Sequence, residues 1–371
     1  MDGLGHRLSA FARRQPMVTV SAILCILSLI LIRPDGTVCG NIDWGMLCTL
    51  FCFMCVLSGL SECGAFERLA ESVVTDRMDS RVLCAILVIL PLICSMFITN
   101  DVALITFVPF AVLILERTGH REHIVPVAVL QTLAANTGCM ITPFGSPHNL
   151  LVFSHYDLDM WDVVSTMAPY LIVGSMLIMT LCLRFPKGPV DLNDRTVHKV
   201  DPVKATVLLF AFVICIASVV GFVPLWATLI VSVAAVCVTI PRSLLKVNYG
   251  LLLTFVFLFI LIGTLTSVES IDSVLMGLED GDSFFPAVGI SQIVSNVPAA
   301  TLLSTFTDDW SGLLIGTNVG GFGTPIASMA SVITFGIYSK TEGADIRRFT
   351  AVFLAANATM VIVLMILYVL L

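Results

Sequence analysis

Two eleven-residue stretches decide the fold of this chain: Asn136-Thr-Gly-Cys-Met-Ile-Thr-Pro-Phe-Gly-Ser146 and Asn318-Val-Gly-Gly-Phe-Gly-Thr-Pro-Ile-Ala-Ser328. They align without gaps and are identical at five positions, which hold Asn, Gly, Thr, Pro and Ser. Each stretch lies within a long apolar run, and its glycines and proline disfavour one continuous helix. Because unpaired backbone groups are costly in lipid, we expect each stretch to break a membrane helix where protein or a cavity surrounds it.

Two further signatures recur in the same order along the chain. The pentapeptide Asp43-Trp-Gly-Met-Leu47 resembles Asn248-Tyr-Gly-Leu-Leu252, and each opens an apolar run. Between these pentapeptides and the broken stretches lie the polar tripeptide Thr99-Asn100-Asp101 and the tetrapeptide Ser295-Asn296-Val297-Pro298. Three signatures in one order indicate an internal repeat.

The composition excludes a soluble enzyme, a disordered chain and a nucleic-acid-binding protein. Of the 371 residues, 57% are apolar and 12% are charged, whereas soluble domains carry about 25% charged residues. A mean hydropathy of +1.00 predicts an all-α polytopic membrane protein. We predict twelve apolar runs that cross or enter the bilayer: 16–33, 44–61, 82–98, 102–116, 124–153, 167–184, 205–221, 223–241, 249–267, 284–305, 312–338 and 349–371.

The placement of the charges predicts the topology. Eighteen of the 19 Lys and Arg residues lie at the N-terminus or in five connections, at 62–81, 117–123, 184–204, 242–248 and 339–348, while the other connections are acidic or neutral. Basic connections stay in the cytoplasm. Segment 82–116 lies between two basic connections, and segment 284–305 lies between two acidic ones. Each segment must therefore leave and return on the same side of the membrane, as a helical hairpin. The pattern predicts nine crossings and two hairpins, with the N-terminus cytoplasmic and the C-terminus outside. The second hairpin is short enough to be re-entrant, whereas the first is either re-entrant or two full spans.

The same pattern gives the two halves opposite orientations. We expect a first inverted repeat over 1–184, with its hairpin at 82–116 and its broken helix at 124–153. A cytoplasmic linker, 185–204, leads to a second inverted repeat over 205–371, with its hairpin at 284–305 and its broken helix at 312–338. Inverted repeats with discontinuous helices are typical of secondary transporters, whose site lies near the midplane between the repeats.

The repeated motifs supply the candidate site residues. The N-terminus of a half-helix can bind an anion, because it has free N–H groups and the positive end of the helix dipole. Backbone carbonyls of an unwound segment, together with amide side chains, can bind Na⁺. We expect polar residues of the hairpin tips and broken stretches to bind substrate: Asn100, Thr142, Ser146, His148, Ser295, Asn296 and Thr324. We expect cation or proton coupling to involve Asp101, Thr99, Asn136, Gly138, Asn318 and Gly320, with Na⁺ held by Asn100, Asn136, Ser295, Asn296 and Asn318.

Asp101 is the one acid well inside a hydrophobic segment, between the runs 82–98 and 102–116, and we expect no Lys or Arg in the membrane core to pair with it. Such a carboxylate is costly in lipid and is by default functional. The residues alone leave alternatives open: a protonated residue in a hairpin bend for Asp101, caps for broken helices at the tips, and packing for His148. Helix–helix contacts are the alternative for Thr142, Thr324, Ser146 and Ser328. No ATP-binding motif occurs in the sequence, and no cofactor other than Na⁺ is expected.

The twelve cysteines lie mostly in apolar runs, where a free thiol packs as a small hydrophobic group. Cys48, Cys52 and Cys55 would share one helix face, an arrangement that suits packing or a soft metal or arsenite.

At these motifs the sequence resembles the ion transporter superfamily, and in particular its citrate-transporter-like anion permeases. Relatives in that group include arsenite efflux pumps, sodium/proton antiporters and divalent anion/sodium symporters. The resemblance rests on Asn100-Asp101 and Ser295-Asn296-x-Pro298 at the hairpin tips. It rests also on Asn136-x-Gly138-x-x-x-Thr142-Pro143-x-Gly145-x-Pro147-x-Asn149 and on Asn318-x-Gly320-Gly321. It implies a homodimeric elevator transporter with both hairpins in its moving part. The symporters carry Ser-Asn-Thr at both tips, whereas this chain has Thr-Asn-Asp and Ser-Asn-Val.

The sequence thus predicts a secondary transporter, not an enzyme, in the cell membrane, either inner or plasma. Its partners are a small anionic solute, Na⁺ or H⁺, membrane lipid and a second copy of the chain, with no nucleic acid. The leading function is transport of a di- or tricarboxylate or an oxyanion. The alternatives are a Na⁺/H⁺ antiporter or an arsenite efflux permease that uses Asp101, and a passive channel.

Overall fold

The computed structural model describes residues 16–32, 42–73, 77–191, 200–265 and 281–371. The basic N-terminus, Arg33, much of the linker 185–204 and most of the acidic connection after Thr264 lie outside these ranges. The described residues are almost entirely helical. The helices, numbered in chain order, are α1 Pro16–Ile32, α2 Trp44–Glu62, α3 Ala65–Val73, α4 Ser80–Cys94, α5 Asn100–Arg117, α6 Ile124–Gly138, α7 Pro147–His155, α8 Met160–Cys182, α9 Pro202–Val219, α10 Leu225–Thr239, α11 Tyr249–Leu265, α12 Phe284–Val294, α13 Asn296–Leu303, α14 Trp310–Gly320, α15 Met329–Tyr338 and α16 Ile346–Leu370.

These helices confirm the prediction of an all-α polytopic protein. Five described helical segments are long and apolar enough to cross a membrane, namely Trp44–Glu62, Arg121–Ile141, Met160–Cys182, Pro202–Val219 and Ile346–Leu370. Aspartates in the connections start several helices by accepting backbone N–H groups at the first turn, which is the usual N-cap arrangement. Asp43 does so for α2, Asp309 for α14 and Asp345 for α16.

Both predicted hairpins are present. In the first, α4 and α5 are joined by the turn 95–99, so Asn100 begins the second arm rather than lying in the middle of the tip. In the second, Ser295 alone separates α12 from α13. At 1.5 Å per residue the arms of the second hairpin are only about 16 and 12 Å long, about half the bilayer core, whereas those of the first are about 22 and 27 Å.

Both predicted breaks are also present. The run 124–153 is divided into α6 and α7, with two short 3-10 turns, Cys139–Ile141 and Pro143–Gly145, between them. The run 312–338 is divided into α14 and α15, with turns over 321–328. The breaks fall on the aligned glycines and prolines, as the residue types predict.

The two halves of the chain pack against each other reciprocally. Helix α7, which follows the first break, packs against α13 of the second hairpin, and α15, which follows the second break, packs against α5 of the first hairpin. The helices around the paired pentapeptides pack in the same reciprocal way. Helix α1, which precedes the first pentapeptide, packs against α11, which follows the second, and α10, which precedes the second, packs against α2, which follows the first. Such crossed pairing is what two related halves facing each other produce.

The connections contact one another in two groups that match the charge pattern. Among the basic connections, Lys246 forms an ion pair with Glu62, and Arg348 donates to the carbonyl of Glu122 over 3.3 Å. A two-stranded antiparallel sheet also joins them, because β1 (Arg77–Asp79) pairs with β2 (Pro189–Asp191).

The acidic connections form the other group. Tyr156 donates to the carbonyl of Thr307 over 2.5 Å, and Asp309 accepts from the backbone N–H of Ser283 over 3.1 Å. Near the C-terminus, Tyr368 donates to Asp282 over 2.7 Å. These contacts place the C-terminal end of α16 with the acidic connections, as the sequence predicts. The sequence of residues 64–80, which begins Gly-Ala-Phe-Glu-Arg-Leu-Ala-Glu, predicts an amphipathic helix at the membrane surface. The structure has the shorter helix α3 there, which ends before the strand β1.

Candidate functional site

The tip of the first hairpin is tied to the first broken helix through two asparagines. The side-chain amide of Asn100 donates to Oδ1 of Asn136 over 2.9 Å, and Oδ1 of Asn100 accepts the backbone N–H of Asp101 over 2.9 Å. Both asparagines are buried. Thr99 occupies the N-cap position of α5, but its hydroxyl makes no capping hydrogen bond. Oδ1 of Asn100 therefore satisfies one backbone N–H in the first turn of α5, which the Thr99 hydroxyl does not cap.

The tip of the second hairpin is held in a strained backbone conformation. Ser295 has φ +80° and ψ 155°, a region that is occupied almost only by glycine and costs about 1–3 kcal/mol. This conformation directs the backbone N–H of Asn296 to the carbonyl of Ala327 over 2.9 Å, and Oγ of Ser295 reaches the same carbonyl over 3.3 Å. The tip is thus fixed to the second broken stretch through Ala327.

The aligned threonines bind equivalent backbone positions in the two halves. Thr142 donates to the carbonyl of Met96 over 2.8 Å, and Thr324 donates to the carbonyl of Gln292 over 3.0 Å. Met96 and Gln292 each lie four residues before the asparagine of their hairpin. This equivalence supports the repeat alignment, and it favours the interpretation of Thr142 and Thr324 as contacts between each hairpin and its broken helix.

The aligned glycines allow the closest approach between hairpin and broken helix. A Cβ atom on Gly138 would lie 2.0 Å from the carbonyl oxygen of Leu92, and one on Gly320 would lie 2.6 Å from Cβ of Ser291. Leu92 and Ser291 both lie on the first arm of the hairpin of the same half. Gly138 and Gly320 therefore act through backbone proximity, and no side chain is available from them to bind a cation.

The sequence interpretation missed Gln292. Its amide donates to the carbonyls of Gly320 (2.8 Å) and Phe322 (2.9 Å), and its Oε1 accepts the backbone N–H of Thr324 over 2.9 Å. One side chain thus satisfies three backbone groups freed by the second break. Gln292 could have been noticed as the one glutamine in the apolar run 284–305. Its counterpart in the repeat alignment is the apolar Met96, so a comparison of the two halves did not single it out.

Side chains from both breaks meet at the centre of the fold. Asn318 donates to Oδ1 of Asn149 over 2.7 Å, and Asn149 in turn donates to the carbonyl of Cys139 over 3.0 Å. Ser328 donates to Oδ1 of Asn136 over 3.4 Å. The first broken stretch therefore contacts the second through two separate asparagine contacts, both of them buried.

Several buried polar atoms in and after the two broken stretches have no hydrogen-bond partner among the described residues. They include Nδ2 of Asn136, Nε2 of His148 and Oγ of Ser331. His148 is oriented through its other ring nitrogen, which lies 2.5 Å from Oγ of Ser146. Since buried polar groups are almost always hydrogen-bonded, these atoms mark places where a ligand or water would bind. Ser331 is the residue aligned with Asn149, and the sequence interpretation did not include it among the site residues.

A cavity of about 270 Å³ lies beside this centre, at the tip of the first hairpin. Thr99 and Asp101 line it together with Pro147, the first residue of α7. Its opposite wall belongs to other elements: α2, α11 and the residues that lead into α11. Among the described residues no side chain hydrogen-bonds the carboxylate of Asp101, so this acid is available to a ligand in the cavity.

Lys246 lines the same cavity, with its ion-pair partner Glu62. The sequence placed Lys246 in a connection, remote from Asp101. The structure differs because residues Pro241–Lys246 form a 3-10 turn against α2, which brings the ammonium group to the cavity wall. The ammonium group of Lys246 therefore lies in the same cavity as Asp101, although Lys246 belongs to the connection 242–248 and not to an apolar run.

The described residues contain no group of three or more His, Cys, Asp or Glu side chains arranged to hold a metal ion. Cys52 and Cys55 are buried in the packed face of α2, as the packing interpretation expects.

Comparison with known proteins assigns the chain to a family. Residues 8–308 match the family model described as citrate transporter. The chain is 28% identical over 319 residues to an uncharacterised transporter of Methanocaldococcus jannaschii, covering 86% of this chain and 87% of the relative. It is 30% identical over 302 residues to the inner membrane protein YbiR of Escherichia coli, covering 79% of each. In fold it resembles the crystal structure of the YdaH transporter of Alcanivorax borkumensis, with a TM-score of 0.62 and 12% identity over 95% of this chain and 97% of that chain.

Proposed function

Because the chain belongs to the citrate transporter family, we propose that it is a secondary active transporter that moves a small anion across the membrane. The anion is a di- or tricarboxylate or an oxyanion, and its movement is coupled to Na⁺ or H⁺. The observation that carries this proposal is the cavity at the first hairpin tip, where Asp101, Lys246 and the N-terminus of α7 surround one compartment.

The chemistry of this compartment suits an anion accompanied by a cation. The N-terminus of α7 supplies a positive dipole end, and Lys246 supplies an ammonium group that also pairs with Glu62 in the same cavity. The unpartnered amide of Asn136 is a further donor nearby in the fold. The carboxylate of Asp101 repels a free anion, so we propose that it binds H⁺ or Na⁺ first and that substrate follows.

The position of the cavity favours an elevator mechanism. Its wall on one side comes from the hairpin and the helices after the breaks, and on the other side from α2, α11 and the turn that precedes α11. Sliding of the hairpin-bearing part along this second wall would carry the site across the membrane. We propose that α2 and α11 belong to a static scaffold that dimerises, in the cell membrane, with the N-terminus cytoplasmic and the C-terminus outside.

The test is ligand-dependent stability followed by transport. A ligand that binds the folded state alone raises its apparent stability by mass action. Purified protein is heated with citrate, succinate, sulfate, arsenite or Na⁺, and uptake of the labelled anion that stabilises it is measured in liposomes with and without a Na⁺ or pH gradient. We expect an anion to stabilise the protein more strongly when the coupling cation is present, and gradient-driven uptake to follow.

Asp101→Asn tests the coupling residue. Two unit charges 4 Å apart interact by about 1 kcal/mol in water and about 4 kcal/mol at the effective dielectric of a partly buried site. Loss of the Asp101 charge should therefore weaken binding of the coupling cation about 5- to 1,000-fold and abolish gradient-driven uptake. Asp308→Asn, in an exposed connection, is the matched control. Unchanged Na⁺ and pH dependence in Asp101→Asn would exclude this role.

A second candidate is supported by the same acid. Asp101 in an accessible cavity is also what a Na⁺/H⁺ antiporter or an arsenite efflux permease would need. Stabilisation by Na⁺ with no effect of any anion would favour the antiporter, and stabilisation by arsenite alone would favour the efflux permease.

A further inference from the structure

A second cavity, of about 370 Å³, lies far from the hairpin tips, where α6, α8 and α16 meet at the ends that belong to the basic connections. Its apolar part is formed by residues such as Val129 of α6 and Val352 of α16. Its lining extends along α16 from Arg348 to Ala356, a length of about 12 Å. It is therefore an apolar groove that ends in a basic group.

Two of the three helices that form the groove are mostly exposed on the surface of the protein, where lipid would cover a membrane protein. In α8 and α16 only 28% and 22% of the membrane-length window is buried inside the protein, whereas in the segment containing α6 the figure is 89%. Helix α6 thus forms the floor of the groove, and the two outer helices form its sides.

The basic end of the groove carries two arginines. Arg184 follows α8 and Arg348 lies in the first turn of α16, and both are exposed. Arg348 uses one nitrogen to donate to the backbone carbonyl of Glu122 over 3.3 Å, which leaves donors of its guanidinium free. The lining also includes the exposed carboxylate of Glu122 and the buried His123, whose Nε2 lies 3.6 Å from that carboxylate.

We propose that this groove, formed by α6, α8 and α16, binds an anionic phospholipid, with one acyl chain along the apolar floor and the phosphate between Arg184 and Arg348. Charge complementarity carries the assignment. Two guanidinium groups at the membrane-boundary end of an apolar groove match a headgroup phosphate joined to a hydrocarbon chain, and basic pockets between membrane helices are characteristic headgroup sites. A zwitterionic lipid places its own ammonium group among these arginines and binds less well.

The experiment compares phosphatidylglycerol with phosphatidylcholine on the detergent-purified full chain, by native mass spectrometry and by thermal stabilisation. Arg184→Gln/Arg348→Gln removes both charges of the groove. Arg347→Gln/Arg242→Gln removes two exposed charges outside it and is the matched control. Ala356→Leu fills the apolar part without a change of charge. Inorganic phosphate and glycerol phosphate, with no acyl chain, form a separate arm.

We expect phosphatidylglycerol to bind the wild type and the control double variant, and to bind the Arg184→Gln/Arg348→Gln variant at least tenfold more weakly. Ala356→Leu should weaken binding of the lipid but not that of free phosphate. Equal binding to both double variants, or equal binding of phosphatidylcholine, would overturn the proposal. Stabilisation by inorganic phosphate equal to that by the lipid would assign the site to free phosphate instead. Loss of the dimer in Ala356→Leu, without any change in lipid binding, would assign the groove to a second copy of the chain.

Discussion

Gly138→Ala tests the close contact that holds the first hairpin against the first broken helix. The added Cβ would lie 2.0 Å from the carbonyl oxygen of Leu92 and 2.3 Å from Oγ of Ser95. The serine side chain can rotate, but the carbonyl belongs to the helical arm α4 and cannot. To restore an ordinary contact near 3.4 Å, the arm must therefore move by about 1.4 Å.

Such a movement is large compared with the contacts at the tip. The amide of Asn100 lies 2.9 Å from Oδ1 of Asn136, and that bond is lost beyond about 3.5 Å. Overpacking of a well-packed interior costs about 1–3 kcal/mol. With a backbone oxygen as the obstacle, we expect a value near the upper limit, a decrease of about 3 kcal/mol in the free energy of unfolding. The Asn100–Asn136 contact should be lost at the same time.

The assay is denaturant-induced unfolding in detergent, together with ligand-dependent stabilisation. Gly320→Ala, the equivalent change in the second half, should destabilise the protein in the same direction but less, because its nearest obstacle is the side chain of Ser291 at 2.6 Å. Gly289→Ala is the matched control, since a Cβ there meets no atom of the described residues within 4 Å. Equal stability of Gly138→Ala and Gly289→Ala would refute the close approach of hairpin and broken helix.

Three further changes test other parts of the site. Ser295→Gly removes the strain at the second tip and should leave the protein about 1–3 kcal/mol more stable than Ser295→Ala in thermal unfolding; equal stability would contradict the strained conformation. Gln292→Leu deletes three hydrogen bonds to the second break and should lower the free energy of unfolding by about 2–4 kcal/mol, whereas Ile293→Leu on the exposed face should not. Burial raises the pKa of Asp309, but hydrogen bonds from Gly312, Ser283 and Ser311 outweigh it and hold that pKa below the usual range. Its stabilising contribution is therefore complete above the unfolded-state pKa of about 4 and is lost as the pH falls through the lower folded-state pKa. Asp309→Asn should therefore be less stable than wild type at pH 7, and the difference in stability should shrink as the pH falls below about 4.

The architecture could be predicted from the sequence because its main determinants are local or repeated. The aligned glycines and prolines mark both breaks, and polar tips inside apolar runs mark both hairpins. The segregation of charge correctly groups the connections that contact one another, as the Glu62–Lys246 pair and the β1–β2 sheet show.

Features that depend on the packing of distant segments could not be predicted in this way. Lys246 reaches the cavity because a 3-10 turn folds against α2, and sequence position alone gives no such proximity. Gln292 aligns with the apolar Met96, and Ser331 aligns with Asn149, a different residue type, so neither is identical to its counterpart in the other half and the repeat did not single them out. Thr142 and Thr324 were predicted as site residues, but whether a polar side chain faces a ligand or a backbone carbonyl depends on the three-dimensional arrangement.

The most direct test of the central claim is uptake of the stabilising anion into liposomes that contain the wild type, Asp101→Asn or Asp308→Asn. The account predicts concentrative uptake by the wild type and by Asp308→Asn only when a Na⁺ or H⁺ gradient is imposed, and none by Asp101→Asn. Concentrative uptake by Asp101→Asn with an unchanged dependence on the gradient would contradict the account.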